Sequence, residues 1–199
     1  MVIRPICALS RFTAVAFLFF TVFPVIAAEK WSGSGSIRFL GKSTLHDFTG
    51  TVAIAPFTLT VDDPESRDNA TLSGTLTASV AKMDTQDEKR DENMRASLEA
   101  AKHPLISVAL SRVKVADTKP QWEGRLPKPA TVPFELTILG KTKAHTGRVT
   151  SWSEKQGAVT MVVAFPVSLK DYNIKVPTVL GVIRVKDTIE VEATIELKP

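Results

Sequence analysis

The sequence predicts an all-β, mainly antiparallel domain of about eight strands, interrupted by one amphipathic helix and preceded by an export signal. Three observations carry this. Past residue 30, apolar residues alternate with Thr, Ser and charged residues at period 2, as in strands with one apolar and one wet face. One segment only, near residue 90, changes to a helical period. The single cysteine, Cys7, lies in the leader, so an exported domain built from the remainder must rest on its core rather than on disulfides.

The leader has the three parts of a secretory signal. Arg4 and Arg11 make a positive start, Phe12 to Ile26 is an apolar run, and Val25-Ile26-Ala27-Ala28 supplies small residues for cleavage. The apolar run is shorter than the roughly 20 residues of a spanning helix. No small-residue pattern precedes Cys7, which argues against a lipid anchor there. Residues 1–28 are therefore expected to be removed, leaving one domain over residues 29–199, large enough to bury a core. Removing Arg4 and Arg11 leaves 23 basic residues against 21 acids. The basic residues form no run, which disfavours nucleic acid as a partner.

Gly33-Ser34-Gly35-Ser36 reads as a flexible lead-in, since a phosphate loop needs a strand before it and a helix after. Strands then follow at Ile37-Arg38-Phe39, at Thr51–Ile54 and Phe57–Val61, and at Thr71–Val80. Further strands are expected at Ile106–Val115, Val132–Leu139, Thr146–Trp152, Ala158–Leu169 and Thr188–Leu197. The last is the cleanest, with Ile189, Val191, Ala193, Ile195 and Leu197 alternating with acids and Thr. Turn residues separate them at Asp62-Asp63-Pro64, Lys119-Pro120, Pro127-Lys128-Pro129, Gln156-Gly157 and Lys170–Asn173.

Thr85-Gln86-Asp87-Glu88 reads as a capping box opening a helix of about 17 residues. Met94, Leu98 and Ala101 form its apolar stripe, Lys102 and His103 suit its C-terminal dipole, and Pro104 stops it. Asp87/Glu88 and Asp91/Glu92 are placed on its solvated face. Eight antiparallel strands can close a barrel or pack as a sandwich, and periodicity does not separate the two. In a barrel the helix would cap one end or fill its mouth through Met94 and Leu98.

Nothing in the chain argues for catalysis. There is no G-x-S-x-G elbow, P-loop, G-x-G-x-x-G or H-E-x-x-H. His46, His103 and His145 lack ligand spacing, so no metal site is expected. His103 is assigned to the helix end, and His46 and His145 to the barrel interior.

Several motifs share one order with a known family. Ser36–Phe39 is followed by Ser43-Thr44-Leu45-His46-Asp47-Phe48-Thr49-Gly50. Val80–Thr85 and Arg90-Asp91 come next, then His103-Pro104-Leu105-Ile106, and then Leu136-Thr137-Ile138-Leu139-Gly140-Lys141-Thr142-Lys143. Gly181–Val185 with Asp187–Val191 closes the series. This series resembles the YceI family, exported lipocalin-like proteins regarded as polyisoprenoid-binding. The helix-to-Pro104 stretch is shorter than the family's usual pattern and lacks its Phe pair. His145 and Gly147 stand where Val and Leu are common, which makes part of the interior more polar.

The resemblance implies an extended eight-stranded lipocalin-like barrel. Such a barrel would be periplasmic and would hold one long isoprenoid, a polyprenyl quinone or precursor, for storage or transport. It implies no cofactor. Loading and release would need transient contact with a membrane or an envelope protein, and a homodimer is compatible with it. Alternation then nominates cavity positions: Phe39 and Phe48; Leu72, Leu76 and Val80; Ile106 and Val108; Phe134, Leu136 and Ile138; Val163 and Phe165. Met94 and Leu98 of the helix join them. Two other classes stand beside this reading: a filled barrel serving as an envelope interaction or stress module, and an enzyme or metal protein using His46 and His145.

Overall fold

A computed structural model describes residues 28–63, 70–114, 130–175 and 185–199. Residues 1–27 of the expected leader, Pro64 and Val115, the turns at 119–120 and 127–129, and residues 181–184 of the closing motif lie outside the described residues. Eight strands run in chain order around a closed antiparallel barrel. They are β1 (Glu29–Ser43), β2 (Phe48–Asp62), β3 (Thr71–Ser79), β4 (Leu105–Lys114), β5 (Thr131–Ile138), β6 (Lys141–Lys155), β7 (Ala158–Ser168) and β8 (Val185–Lys198). Closure pairs β1 with β8 from Ser32↔Lys198 to Ser43↔Val185, which joins the first strand to the last. The helix α1 (Glu88–Ser97) crosses between β3 and β4.

Gly33–Ser36 is not a lead-in but lies inside β1, paired on both sides. Glycine carries no hydropathy signal, and what needs it here is the neighbouring strand. A Cβ at Gly33 would stand 2.3 Å from the Phe57 ring, and one at Gly35 would stand 2.2 Å from the Thr194 carbonyl oxygen. The pattern repeats along the hairpin. Gly33, Gly41 and Gly50 stand in register with Phe57, Phe48 and Phe39. A Cβ at Gly41 or Gly50 would likewise meet its partner's ring at 2.2 Å. Each ring covers the glycine opposite it, which protects backbone that has no side chain of its own.

The two runs Thr51–Ile54 and Phe57–Val61 belong to the single strand β2. Val52 and Ile54 are buried, then Phe57, Leu59 and Val61, so the inward phase switches from even to odd. The register against β1 shifts between Gly33↔Phe57 and Gly35↔Ile54. Such a β-bulge re-aims a strand's faces, and Pro56, which cannot donate to a ladder, sits within it. β4 does the same at Arg112, whose φ is 48°. Its register shifts from Gly74↔Leu110 to Leu72↔Val113.

The helix is shorter than expected. Its N-cap is Asp87, not Thr85: the Asp87 side chain accepts from the Arg90 amide at 2.9 Å. Thr85 instead turns inward, donating its amide (3.0 Å) and hydroxyl (2.7 Å) to Asp91 Oδ1. Asp91 is therefore buried rather than on the solvated face. The helix stops at Ser97, because Glu99 takes the left-handed conformation at φ 44°. Ala101 and Lys102 follow in exposed turns, and His103 lies against the β5–β6 turn, its Cε1 3.3 Å from where a Gly140 Cβ would be. Thus His103 does not belong to the helix terminus.

One wall has a seam. β6 pairs with β5 over Lys141–Arg148 and with β7 over Arg148–Lys155. Lys141–Gly147 thus has no β7 partner among the described residues. After β7 a 3₁₀ turn, Lys170–Tyr172, brings the fully buried Tyr172 against β5 and β6. Its hydroxyl donates to the Leu136 carbonyl at 3.3 Å and bonds His145 Nε2 at 2.8 Å.

Candidate functional site

Inward-facing rows of the strands line an elongated cavity of about 580 Å³. That is within the roughly 300–1,000 Å³ of small-molecule sites. It reaches from Leu59, Val113 and Leu197 at one end to Leu45, His46 and α1 at the other. Trp31, Leu59, Val61, Val159 and Leu197, all fully buried, pack the end farther from the helix.

The cavity is lined by Phe39 and Phe48, by Leu72 and Leu76, by Ile106 and Val108, and by Phe134, Leu136 and Ile138. Val163, Phe165, Met94 and Leu98 complete the expected set. Val80 does not line it. β3 ends at Ser79, and Val80 starts a 3₁₀ turn whose amide donates to the Pro104 carbonyl, so its side chain packs in the core at the strand end. Alternation holds only while the strand lasts.

Sequence reasoning left out the β8 row Ile189, Val191, Ala193, Ile195 and Leu197, which lines the cavity throughout. Its period-2 signal was the clearest in the chain and would have found it. Trp152 and Val113 were less accessible, because each follows a bulge that reverses the phase.

The histidines are not brought together. His46 is exposed in the β1–β2 turn, at the cavity's rim rather than within the barrel. That turn is tied by Ser43, whose hydroxyl donates to the His46 carbonyl at 2.6 Å and accepts from the His46 amide at 3.1 Å. His145 does face inward, stacked between Phe134 (centroids 5.8 Å) and Tyr172 (6.2 Å), with Phe165 edge-on at 6.1 Å. Burial lowers its pKa, opposed by Asp171 and assisted by Lys143. Burial also pushes the Tyr172 hydroxyl up to about 12. This pair joins the 3₁₀ turn to β6 across the seam, and neither side chain lines the cavity.

Polar lining gathers where α1 meets the cavity: Ser43, His46, Asp47, Asp87, Lys89, Arg90, Asn93 and Ser97. Arg90 bridges Asp87 at 3.0 Å and lies 5.1 Å over the Phe48 ring. Lys89 bridges Glu92 at 2.8 Å. The Arg90 amide holds the Asp87 carboxyl below its usual range, and the Lys89 contact does the same to Glu92. Chemically, the site is an apolar tube with a polar, charge-balanced rim.

The YceI-like domain model matches residues 32–197. No curated protein matches the sequence. Among solved structures, Burkholderia cenocepacia BcnA is similar at a TM-score of 0.59 and 18% identity, over 81% of this chain and 95% of that one. A polyisoprenoid binding domain from Saccharophagus degradans, described as implicated in plant cell wall breakdown, is similar at a TM-score of 0.56. Its identity is 11%, over 83% of this chain and 97% of that one. At these identities the likeness speaks for the fold.

Proposed function

Since the chain belongs to the YceI-like domain family, we propose that it is an exported, periplasmic binding protein that holds one long isoprenoid in its barrel for storage or transport. The observation that carries this is the elongated apolar cavity lined from Leu197 to α1. The similar Saccharophagus domain, described as polyisoprenoid binding, supports the same ligand class. Export rests on the sequence of residues 1–28, with its positive start, apolar run and small-residue exit. In this reading catalysis plays no part and no cofactor is required.

Magnitude shapes the mechanism. Burying some 30 carbons at about 0.8 kcal/mol each gives roughly 24 kcal/mol gross, above the practical ceiling of about 18–21 kcal/mol. The same chain is also stable in a bilayer, so only the difference between the two hosts drives transfer. Release is then the slow step, and α1, the element closing the polar rim, is the part that moves when a membrane or envelope partner engages.

Native mass spectrometry of protein purified from its own cell envelope tests the proposal. An added isoprenoid mass on a polypeptide beginning at Ala28 or Glu29 is expected. Protein that carries nothing and takes up no isoprenoid sinks the binding function, and an intact Met1 sinks export by cleavage.

A further inference from the structure

Because the strands run up and down in chain order, α1, the β1–β2 turn, the β5–β6 turn and the 3₁₀ turn after β7 share one end of the barrel. Charge divides that end in two. Over residues 79–104, the arc that carries α1, five bases stand against six acids. Bases of this arc are drawn into pairs: Arg90 with Asp87, Lys89 with Glu92 and Lys102 with Glu99.

The rest of the rim is basic, and its contacts run in sequence. Lys143 Nζ lies 3.9 Å from Asp171, whose chain neighbour is Lys170. The Lys170 amide donates to Asp187 at 2.9 Å, whose chain neighbour is Lys186. Val185 in turn pairs with Ser43, which brings Lys42 and the β1–β2 turn alongside. Lys42, Lys143, Lys170 and Lys186 are all exposed. With Lys141 and Lys175, six lysines stand against Asp47, Asp171 and Asp187 among the described residues of this arc. Of these acids, Asp187 is also engaged by the Ser168 hydroxyl at 2.7 Å.

In the same β1–β2 turn stands Leu45, at 60% the most exposed large apolar side chain among the described residues. It lines the helix end of the cavity as well. A lone surface leucine carries no meaning. Beside an arc of lysines it completes the composition of an interfacial anchor, in which an apolar residue enters the headgroup region and cations meet anionic lipid. Farther along β8 the outward row turns to Glu190 and Glu192, both exposed, so the attraction is confined to the end of the barrel.

Resting on the lipid-binding reading above, we propose that Lys42, Lys143, Lys170 and Lys186, with Leu45, form a docking surface for an anionic bilayer. It sets the barrel end-on, with the Leu45 end of the cavity against the membrane. A bilayer fits this surface better than an acidic protein, because the lysines adjoin an exposed apolar side chain at the end of an apolar cavity.

Sedimentation with vesicles tests this on protein purified from its own cell envelope. One set of vesicles is phosphatidylcholine alone, and the other is phosphatidylcholine and phosphatidylglycerol in equal parts. Binding to the anionic set only is expected, weakening as salt shortens the reach of the charges. Each lysine near an anionic surface contributes about five-fold to binding, so Lys143→Gln/Lys170→Gln/Lys186→Gln is expected to bind about 100-fold more weakly. Lys30→Gln/Lys155→Gln/Lys198→Gln removes the same charge from the other end of the barrel, and should change binding by less than about three-fold. Leu45→Ser should weaken it by about ten-fold. Calorimetry confirms that each variant is folded. Equal binding to both vesicle sets, binding to neither, equal losses in the two triple variants, or an unchanged Leu45→Ser overturns the docking surface. Isoprenoid uptake, read separately by native mass spectrometry, decides the lipid-binding reading, so the two can fail independently.

Discussion

Leu136→Trp separates an occupied tube from a merely packed one. Leu136 is 3% exposed, lines the cavity, and sits between Val108 of β4 and Lys143 of β6. Its backbone is held by the Tyr172 hydroxyl on its carbonyl, so a larger side chain is directed into the space in front of it. A cavity of about 580 Å³ admits an indole without displacing the wall. Loss of stability is then expected to stay under about 1 kcal/mol, a Tm change within roughly 2–4 °C for a domain of this size. In a close-packed interior the same insertion costs typically 1–3 kcal/mol, up to roughly 12 °C. If the indole displaces one five-carbon unit of ligand, about 4 kcal/mol of burial is lost, close to a 10³-fold drop in affinity. Scanning calorimetry and native mass spectrometry on one preparation read both quantities. A folded mutant with its full complement of lipid would refute the placement of the site. A mutant that melts far below the wild type would refute the open tube.

Three further outcomes are expected. Asp91→Ala leaves two buried Thr85 donors unbonded, so stability falls by about 1–3 kcal/mol, with faster amide exchange over the first turn of α1 as its local mark. Tyr172→Phe removes the bonds to Leu136 and His145 at about 1 kcal/mol, and calorimetry should find a Tm lower by roughly 2–4 °C. For His145, burial depresses the folded-state pKa below the unfolded 6.5, so below 6.5 the unfolded chain binds the proton first. Its contribution is complete above pH about 6.5 and is lost as pH falls through the window between the two pKa values. The Tm difference between wild type and His145→Gln should narrow on acidification, and a pH-independent difference would refute the lowered pKa of the half-buried imidazole.

Much of this architecture was legible in the chain. Alternation in Thr71–Ser79 and Thr188–Leu197 reported directly which side chains face inward, because a strand's faces repeat every two residues. It failed where geometry depends on a neighbour. Gly33–Ser36 gave no hydropathy signal, and only its neighbours in β2 and β8, the Phe57 ring at Gly33 and the Thr194 carbonyl at Gly35, explain it. The bulges in β2 and β4 reversed the phase in mid-strand. The helix start offered two chemically reasonable caps, Thr85 and Asp87, and the choice was made by Asp91 turning inward to hold Thr85. The contact between Tyr172 and His145 joins positions whose only link is the tertiary fold.

The three glycine–phenylalanine pairs of the first hairpin have a consequence for how such a chain can change over generations. A methyl group at Gly50 meets the Phe39 ring at 2.2 Å, and loss of that ring uncovers the Gly50 backbone. Each half of a pair is thus constrained by the other, and one-step drift at either position leads uphill. Positions 33 and 57, 39 and 50, and 41 and 48 are expected to vary in step among descendants or to stay fixed together. Their joint history would record the register of β1 on β2 in sequence alone, three times over.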